Sequence, residues 1–133
     1  MSKTFTISND FNYIDKITRE DIAKKHSEIC DGIKDLYARK NHDYGTVFED
    51  TMHDYGLLAP VVRLRDKLGR IETLLTVKNE VADESIKDTI HDLANYSIMT
   101  YAVLSCIEDA IEVEKKKINT KDNENDISWN GSY

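Results

Sequence analysis

The chain has 133 residues, of which 40% are hydrophobic and 32% charged, and it carries a net charge of −7 with a pI near 5.0. That balance fits one soluble, globular domain long enough to bury a core, and the acidity argues against a broad electrostatic grip on nucleic acid. Five glycines and a single proline leave few breaks, which favours long helices.

Residues 1–17 read as an N-terminal arm with no strong period, lacking the basic region and apolar run of a signal peptide. Thr18 followed by Asp21 is a helix-start pattern, a capping residue with an acid three positions on. Ile22, Ile29, Ile33, Leu36 and Tyr37 then keep a helical stripe to about Lys40, which His42-Asp43-Tyr44-Gly45 breaks. Val47, Phe48 and Met52 predict a short helix stopped at Tyr55-Gly56.

Leu57, Val61, Leu64, Leu68, Ile71 and Leu75 form the stripe of the next helix, which runs to about Asn79 with Pro60 tolerated in its first turn. Asp83 caps the last helix, whose core face is Ile86, Ile90, Leu93, Ser97, Leu104, Ile107 and Ile111. Between Tyr96 and Ile107 that helix is apolar nearly all round, so it is expected to be central. Lys115-Lys116-Lys117 suits its C-terminus, and residues 118–133 read as a loose polar tail in which Trp129 can dock on the body or on a partner.

The chain therefore divides into an arm (1–17), an all-α domain (18–117) and a tail (118–133), without internal repeats or convincing strands. The expected architecture is a helical bundle of three long helices plus a short one. Cys30 and Cys106 have no metal or disulfide spacing and fall on apolar helix positions, so they are expected to be small buried thiols. No stretch has the apolar length needed to cross a membrane, and a cytoplasmic location is expected.

The chemistry concentrates on an acidic ladder. Glu84, Asp88, Asp92 and Asn95 step by three and four, which keeps all four within roughly 40° of Asp88 on a helix turning about 100° per residue. The same face continues through Met99, Ala102, Val103 and Cys106, so it is expected to be covered, and covered carboxylates need a cation or hydrogen-bond donors. On the 57–79 helix a second face carries Arg63, Asp66, Arg70 and Thr73 opposite the leucine stripe, with Val62 and Val77 on the same side. If these second faces meet, several carboxylates converge beside Arg63, Lys67 and Arg70.

Carboxylates with water and substrate phosphates are what magnesium prefers, while arginine forks and a lysine hold the remaining phosphate oxygens. The implied chemistry is metal-assisted hydrolysis of a phosphoanhydride. The competing account makes Asp66 and Arg70 an exposed i,i+4 pair and the ladder a solvated stripe. Lys40-Asn41-His42-Asp43-Tyr44-Gly45 is a second dense cluster, able to bond and stack on a base or sugar, or simply to cap a helix. His42-Asp43, His53-Asp54 and His91-Asp92 also evoke the metal-dependent phosphohydrolases named for that dipeptide, although solvent-facing histidines explain them as well.

Three motifs occur in order: Lys40-Asn41-His42-Asp43-Tyr44-Gly45, then Arg63-Leu64-Arg65-Asp66-Lys67-Leu68-Gly69-Arg70-Ile71, then Asp83-Glu84-Ser85-Ile86 running into Asp88-Thr89-Ile90-His91-Asp92-Leu93-Ala94-Asn95-Tyr96. Together, over about residues 28–104, they resemble the nucleotide modification associated domain family of phages and prophages, which is similar to the MazG-like all-α nucleoside triphosphate pyrophosphohydrolases. The resemblance implies a MazG-like helical bundle that dimerises or tetramerises. It also implies magnesium-dependent cleavage of a (deoxy)nucleoside triphosphate or modified nucleotide to monophosphate and pyrophosphate, in a host cytoplasm if the gene is carried by a phage.

The MazG-like pattern has an acidic pair on each of two helices. Asp92, with Tyr96 one turn on, fits the second pair, but Thr89 stands where its other acid belongs, so Asp88 or Glu84 must stand in. Asp66 fits the first pair, and Gly69 stands at its partner position. The resulting assignment has Asp66, Asp88, Asp92 and Glu84 as metal ligands, with Glu84 and Asp92 as the catalytic carboxylates. Arg63, Lys67 and Arg70 are phosphate contacts, and Lys40, Asn41, Asp43, Tyr44 and Asn95 are base or sugar contacts. The alternative is a non-catalytic protein that binds or sequesters a nucleotide, which needs the basic and aromatic groups but no complete carboxylate set.

Overall fold

A computed structural model describes residues 10–44, 46–76 and 86–127. These are all-α, with no strand among them: a short 3-10 helix, Asp10–Lys16, precedes four α-helices. They are α1 (Arg19–Tyr44), α2 (Val47–Tyr55), α3 (Leu58–Thr76) and α4 (Ile86–Ile127). Three long helices and one short one match the periodicity.

Local chemistry explains most of the helix ends. Thr18 and Asp21 form a reciprocal cap: the Thr18 N–H donates to Asp21 Oδ2 at 3.0 Å, and the Asp21 N–H donates to Thr18 Oγ1 at 3.1 Å. That backbone donor, and the Thr18 hydroxyl after it, hold the Asp21 carboxyl below its ordinary value. At the end of α2, Gly56 has φ 64° and ψ −151°, a conformation open essentially to glycine alone, and its N–H donates to Met52 O at 2.7 Å. Pro60 lies in the first turn of α3 and is fully buried.

Three boundaries differ from the expected ones. Residues expected as a plain arm include the 3-10 turn at Asp10–Lys16. Helix α1 continues through His42 to Tyr44 instead of breaking near Lys40. Helix α4 runs to Ile127, ten positions beyond Lys117, because no glycine or proline intervenes to stop it. The lysine run lies inside the helix, where Lys117 meets Glu114 at 3.4 Å and Thr120 donates to Lys116 O at 2.9 Å. The cap expected at Asp83 and the tail residue Trp129 lie outside the described residues, as does Val77.

The chain forms two compact units, one ending at Ser97 and one beginning at Ile98. Within the first, α2 packs on α3, and Ile33, Phe48, Met52 and Pro60 are buried. Much of the expected α1 stripe is exposed, including Ile22 and Ile29. In the second unit Tyr101 is 76% exposed, and Ile98, Ile107 and Ile111 are each about half exposed. The expectation that this stretch of helix is central is therefore corrected, and so is that of buried thiols, since Cys30 and Cys106 are both exposed. Periodicity says which residues share a face, while burial also needs another surface to cover it.

Candidate functional site

The residues that carry contacts lie on α2, α3 and the first turns of α4. Lys67 Nζ meets Asp92 Oδ2 at 3.1 Å, and Arg63 Nη1 donates to the Tyr96 hydroxyl at 3.3 Å. Advancing one turn along α3 from Arg63 to Lys67 retreats one turn along α4 from Tyr96 to Asp92, so the two helices run antiparallel here. Of the two expected second faces, Arg63 and Asp92 take part in these contacts, through Tyr96 and Lys67, while Asp66, Arg70, Thr73 and Asp88 are exposed. The Arg63 guanidinium also sits over the Tyr96 ring, 5.4 Å from its centre. Tyr96 also stacks with Phe48 of α2, with centroids 6.4 Å apart and planes 25° from parallel.

Burial rises along the ladder on α4. Asp88 is exposed, the Asp92 side chain is 37% exposed, and Asn95 is buried. Glu84 lies outside the described residues. Asn95 Oδ1 is buried with no hydrogen-bond partner, an arrangement that costs about 1–3 kcal/mol unless a donor arrives. Thr89, at the position where an acid was expected, is fully buried and is engaged by another group. An ionised side chain there would have to be desolvated, so the threonine belongs to the interior.

The remaining candidates are more scattered. Asp66 is exposed on α3, as is Arg70, and both Arg70 and Asp88 are engaged in interactions of their own. Gly69, at the partner position of Asp66, has open space around the direction of a Cβ, so the missing acid is not a matter of room. Lys40 and Asn41 are exposed on the last turns of α1, and Asp43 and Tyr44 belong to its final turn. His53 meets its neighbour Asp54 at 3.4 Å on the surface.

Of the four expected metal ligands, Asp66, Asp88 and Asp92 lie among the described residues. Among them no three His, Cys, Asp or Glu side chains group as a metal site, and the most buried ladder carboxylate is held by an ammonium instead. Magnesium ordinarily takes few carboxylates and relies on water and substrate phosphates.

Sequence reasoning missed Glu49. It lies in the first turn of α2, beside Phe48, and its Oε2 is buried without a hydrogen-bond partner. The one signal was its place next to an apolar residue of a short helix, which marks it no more than any other acid there.

The family model described as nucleotide modification associated domain 1 matches residues 40–108, just over half of the chain. The chain belongs to this family. The match contains all of α2 and α3 and the part of α4 that supplies Asp92, Asn95 and Tyr96. No curated protein and no solved structure matches the chain.

Proposed function

We propose that this nucleotide modification associated protein binds a (deoxy)nucleoside triphosphate, or a modified nucleotide, on the face where α3 meets α4. One observation carries the reading: Arg63 and Lys67 stand against Tyr96 and Asp92, and beside Tyr96 the buried Asn95 oxygen lacks a donor. The two cations suit phosphate oxygens, the guanidinium as a fork and the ammonium as a point charge. A ligand N–H would satisfy Asn95 Oδ1. Phosphate competing for Lys67 would release Asp92 from its ion pair. Arg70, Lys40, Asn41, Asp43 and Tyr44 complete the proposed contacts as phosphate, base or sugar partners.

A second reading is magnesium-dependent hydrolysis to monophosphate and pyrophosphate, as in MazG-like enzymes. It is favoured by Asp92 and Tyr96 lying one turn apart on α4 and both facing α3. It requires Asp66, Asp88 and Glu84 to act with Asp92, and magnesium would supply charge neutralisation on the phosphates.

Incubation with each ribo- and deoxynucleoside triphosphate, with magnesium or EDTA, separates the readings by thermal shift and chromatography. A shift without product supports the binding protein. Monophosphate formed only with magnesium supports the hydrolase, and Asp92→Asn should then abolish turnover with an unchanged circular dichroism spectrum. No shift with any nucleotide overturns both.

The exposed apolar faces also lead us to propose a homodimer or homotetramer. Ile107 and Ile111 repeat at helical spacing and are each about half exposed, the kind of stripe that a second copy covers. No helix among the described residues is long and apolar enough to cross a membrane.

A further inference from the structure

We propose that Glu49 reads the base of the bound nucleotide, its Oε2 accepting a hydrogen bond from an amino or imino N–H on the base edge. This rests on the nucleotide-binding reading and adds to it an orientation and a residue.

The argument starts from two oxygens. Glu49 Oε2 and Asn95 Oδ1 are the buried side-chain atoms without hydrogen-bond partners among the described residues. Both are acceptors, and a carboxylate oxygen taken from water without a donor or cation is the costlier of the two. Each adjoins one ring of an aromatic contact in the chain: Glu49 follows Phe48 on α2, Asn95 precedes Tyr96 on α4, and the Phe48 and Tyr96 rings stack at 6.4 Å. The two cations of α3 that reach α4 are engaged there, Lys67 on Asp92 and Arg63 on Tyr96.

Such a place calls for a ligand that brings donors. Phosphate is chiefly an acceptor at neutral pH, whereas every nucleobase has at least one N–H on its pairing edge, and guanine has two adjacent ones. A divalent ion is the other chemistry that satisfies oxygen, but it needs several oxygens at once, and no group of three acidic, His or Cys side chains exists among the described residues. The nucleotide is therefore oriented with its phosphates toward Arg63 and Lys67 and its base toward Glu49 and Asn95. Leaving these acceptors unsatisfied in the free protein sacrifices some stability to recognition.

The test uses the full chain with Glu49→Met, which keeps length but removes the acceptor, and with Glu49→Gln, which keeps an acceptor but removes the charge. Affinity is measured for the deoxynucleoside triphosphates, for tripolyphosphate as a probe with no base, and for magnesium alone. The expected result is a loss of about tenfold or more in the affinity of Glu49→Met for the preferred nucleotide. Glu49→Gln should lose less, tripolyphosphate should bind all three proteins equally, and the ligand-free Tm should stay level or rise.

Equal nucleotide affinity in wild type and Glu49→Met overturns the role of Glu49 and leaves the nucleotide reading standing. A fall in the ligand-free Tm of both variants also overturns it, because the carboxylate then has a structural role. A magnesium-only shift that disappears in both variants reassigns Glu49 to a cation. No nucleotide binding by wild type overturns the nucleotide reading itself, and this inference with it.

Discussion

Helix α4 contains two stretches of apolar spacing that differ in the side-chain contacts they make. In its first turns Thr89 and Asn95 are buried and Tyr96 is flanked by Phe48 and Arg63. From Ile98 onward Tyr101, Ile107, Ile111 and Ile118 keep much of their surface exposed. Both stretches have helical apolar spacing, so the pattern alone does not separate them. In the first, Asp92 and Tyr96 are contacted by side chains from α2 and α3, and every side-chain contact built into the candidate site falls there, although Ile90 is half exposed; in the second, Thr100 is buried. An apolar stripe thus marks where a partner is wanted, and only packing shows whether the same chain provides it.

The sharpest break of that comparison sets Phe48→Ala against Ile111→Ala in urea unfolding. Phe48 is buried, so its truncation should cost about 3–5 kcal/mol and remove the stack on Tyr96. Ile111 is 49% exposed, so its truncation should cost well under the ~2–5 kcal/mol of a buried isoleucine. A large, concentration-dependent cost at Ile111 would instead show the second stretch buried against another copy.

Next in size is Gly56→Ala at the junction of α2 and α3. The positive φ of Gly56 makes any side chain strained there, and a loss of about 1–3 kcal/mol is expected from thermal unfolding. An unchanged Tm would mean that the junction relaxes and does not set the register of α2 on α3. In the opposite direction, Gly69→Ala should add about 0.5–1 kcal/mol, since the site is helical with open space around it. Nucleotide affinity should not change, because a Cβ at Gly69 meets nothing within 4 Å and leaves its neighbour Arg70 in place.

The smallest effect is at the start of α1. Asp21 has a carboxyl held below its ordinary value by Thr18, so its stabilising contribution is full above the unfolded value of about 3.9. It is lost as the pH falls through the lowered folded value. Protection of the Asp21 and Ile22 amides, relative to their intrinsic exchange rates at each pH, should therefore fall in acid, and Asp21→Asn, which removes the titrating carboxyl, should flatten that dependence. An identical acid response in the variant would remove the cap as its cause.

Much of the fold was legible before the structure. The cap at Thr18, the glycine stop at Gly56, the proline at Pro60 and the count of long and short helices all follow from local chemistry. The ends of α1 and α4 were misjudged because charge clusters at Lys40 and Lys115 resemble helix termini, yet only a glycine, a proline or a competing contact enforces a stop. The exposure of Cys30 and Cys106 was not legible, since a helical wheel places a thiol on a face without saying what lies opposite.

The candidate site was legible in its pairs and not in its completeness. Arg63 and Asp92 were singled out by spacing, Lys67 as a cation beside them and Tyr96 by the family resemblance, and the structure joins them in two pairs across two helices. Glu49 was invisible because its significance lies in a missing hydrogen bond, which is a property of its surroundings. The amino-acid sequence by itself determined where helices form and which residues share their faces, because those depend on interactions within a few positions of the chain. Only the tertiary structure decided that Lys67 would hold Asp92 and that Asn95 and Glu49 would be left as buried acceptors. Contacts between residues dozens of positions apart are set by how helices pack, and no local period encodes them.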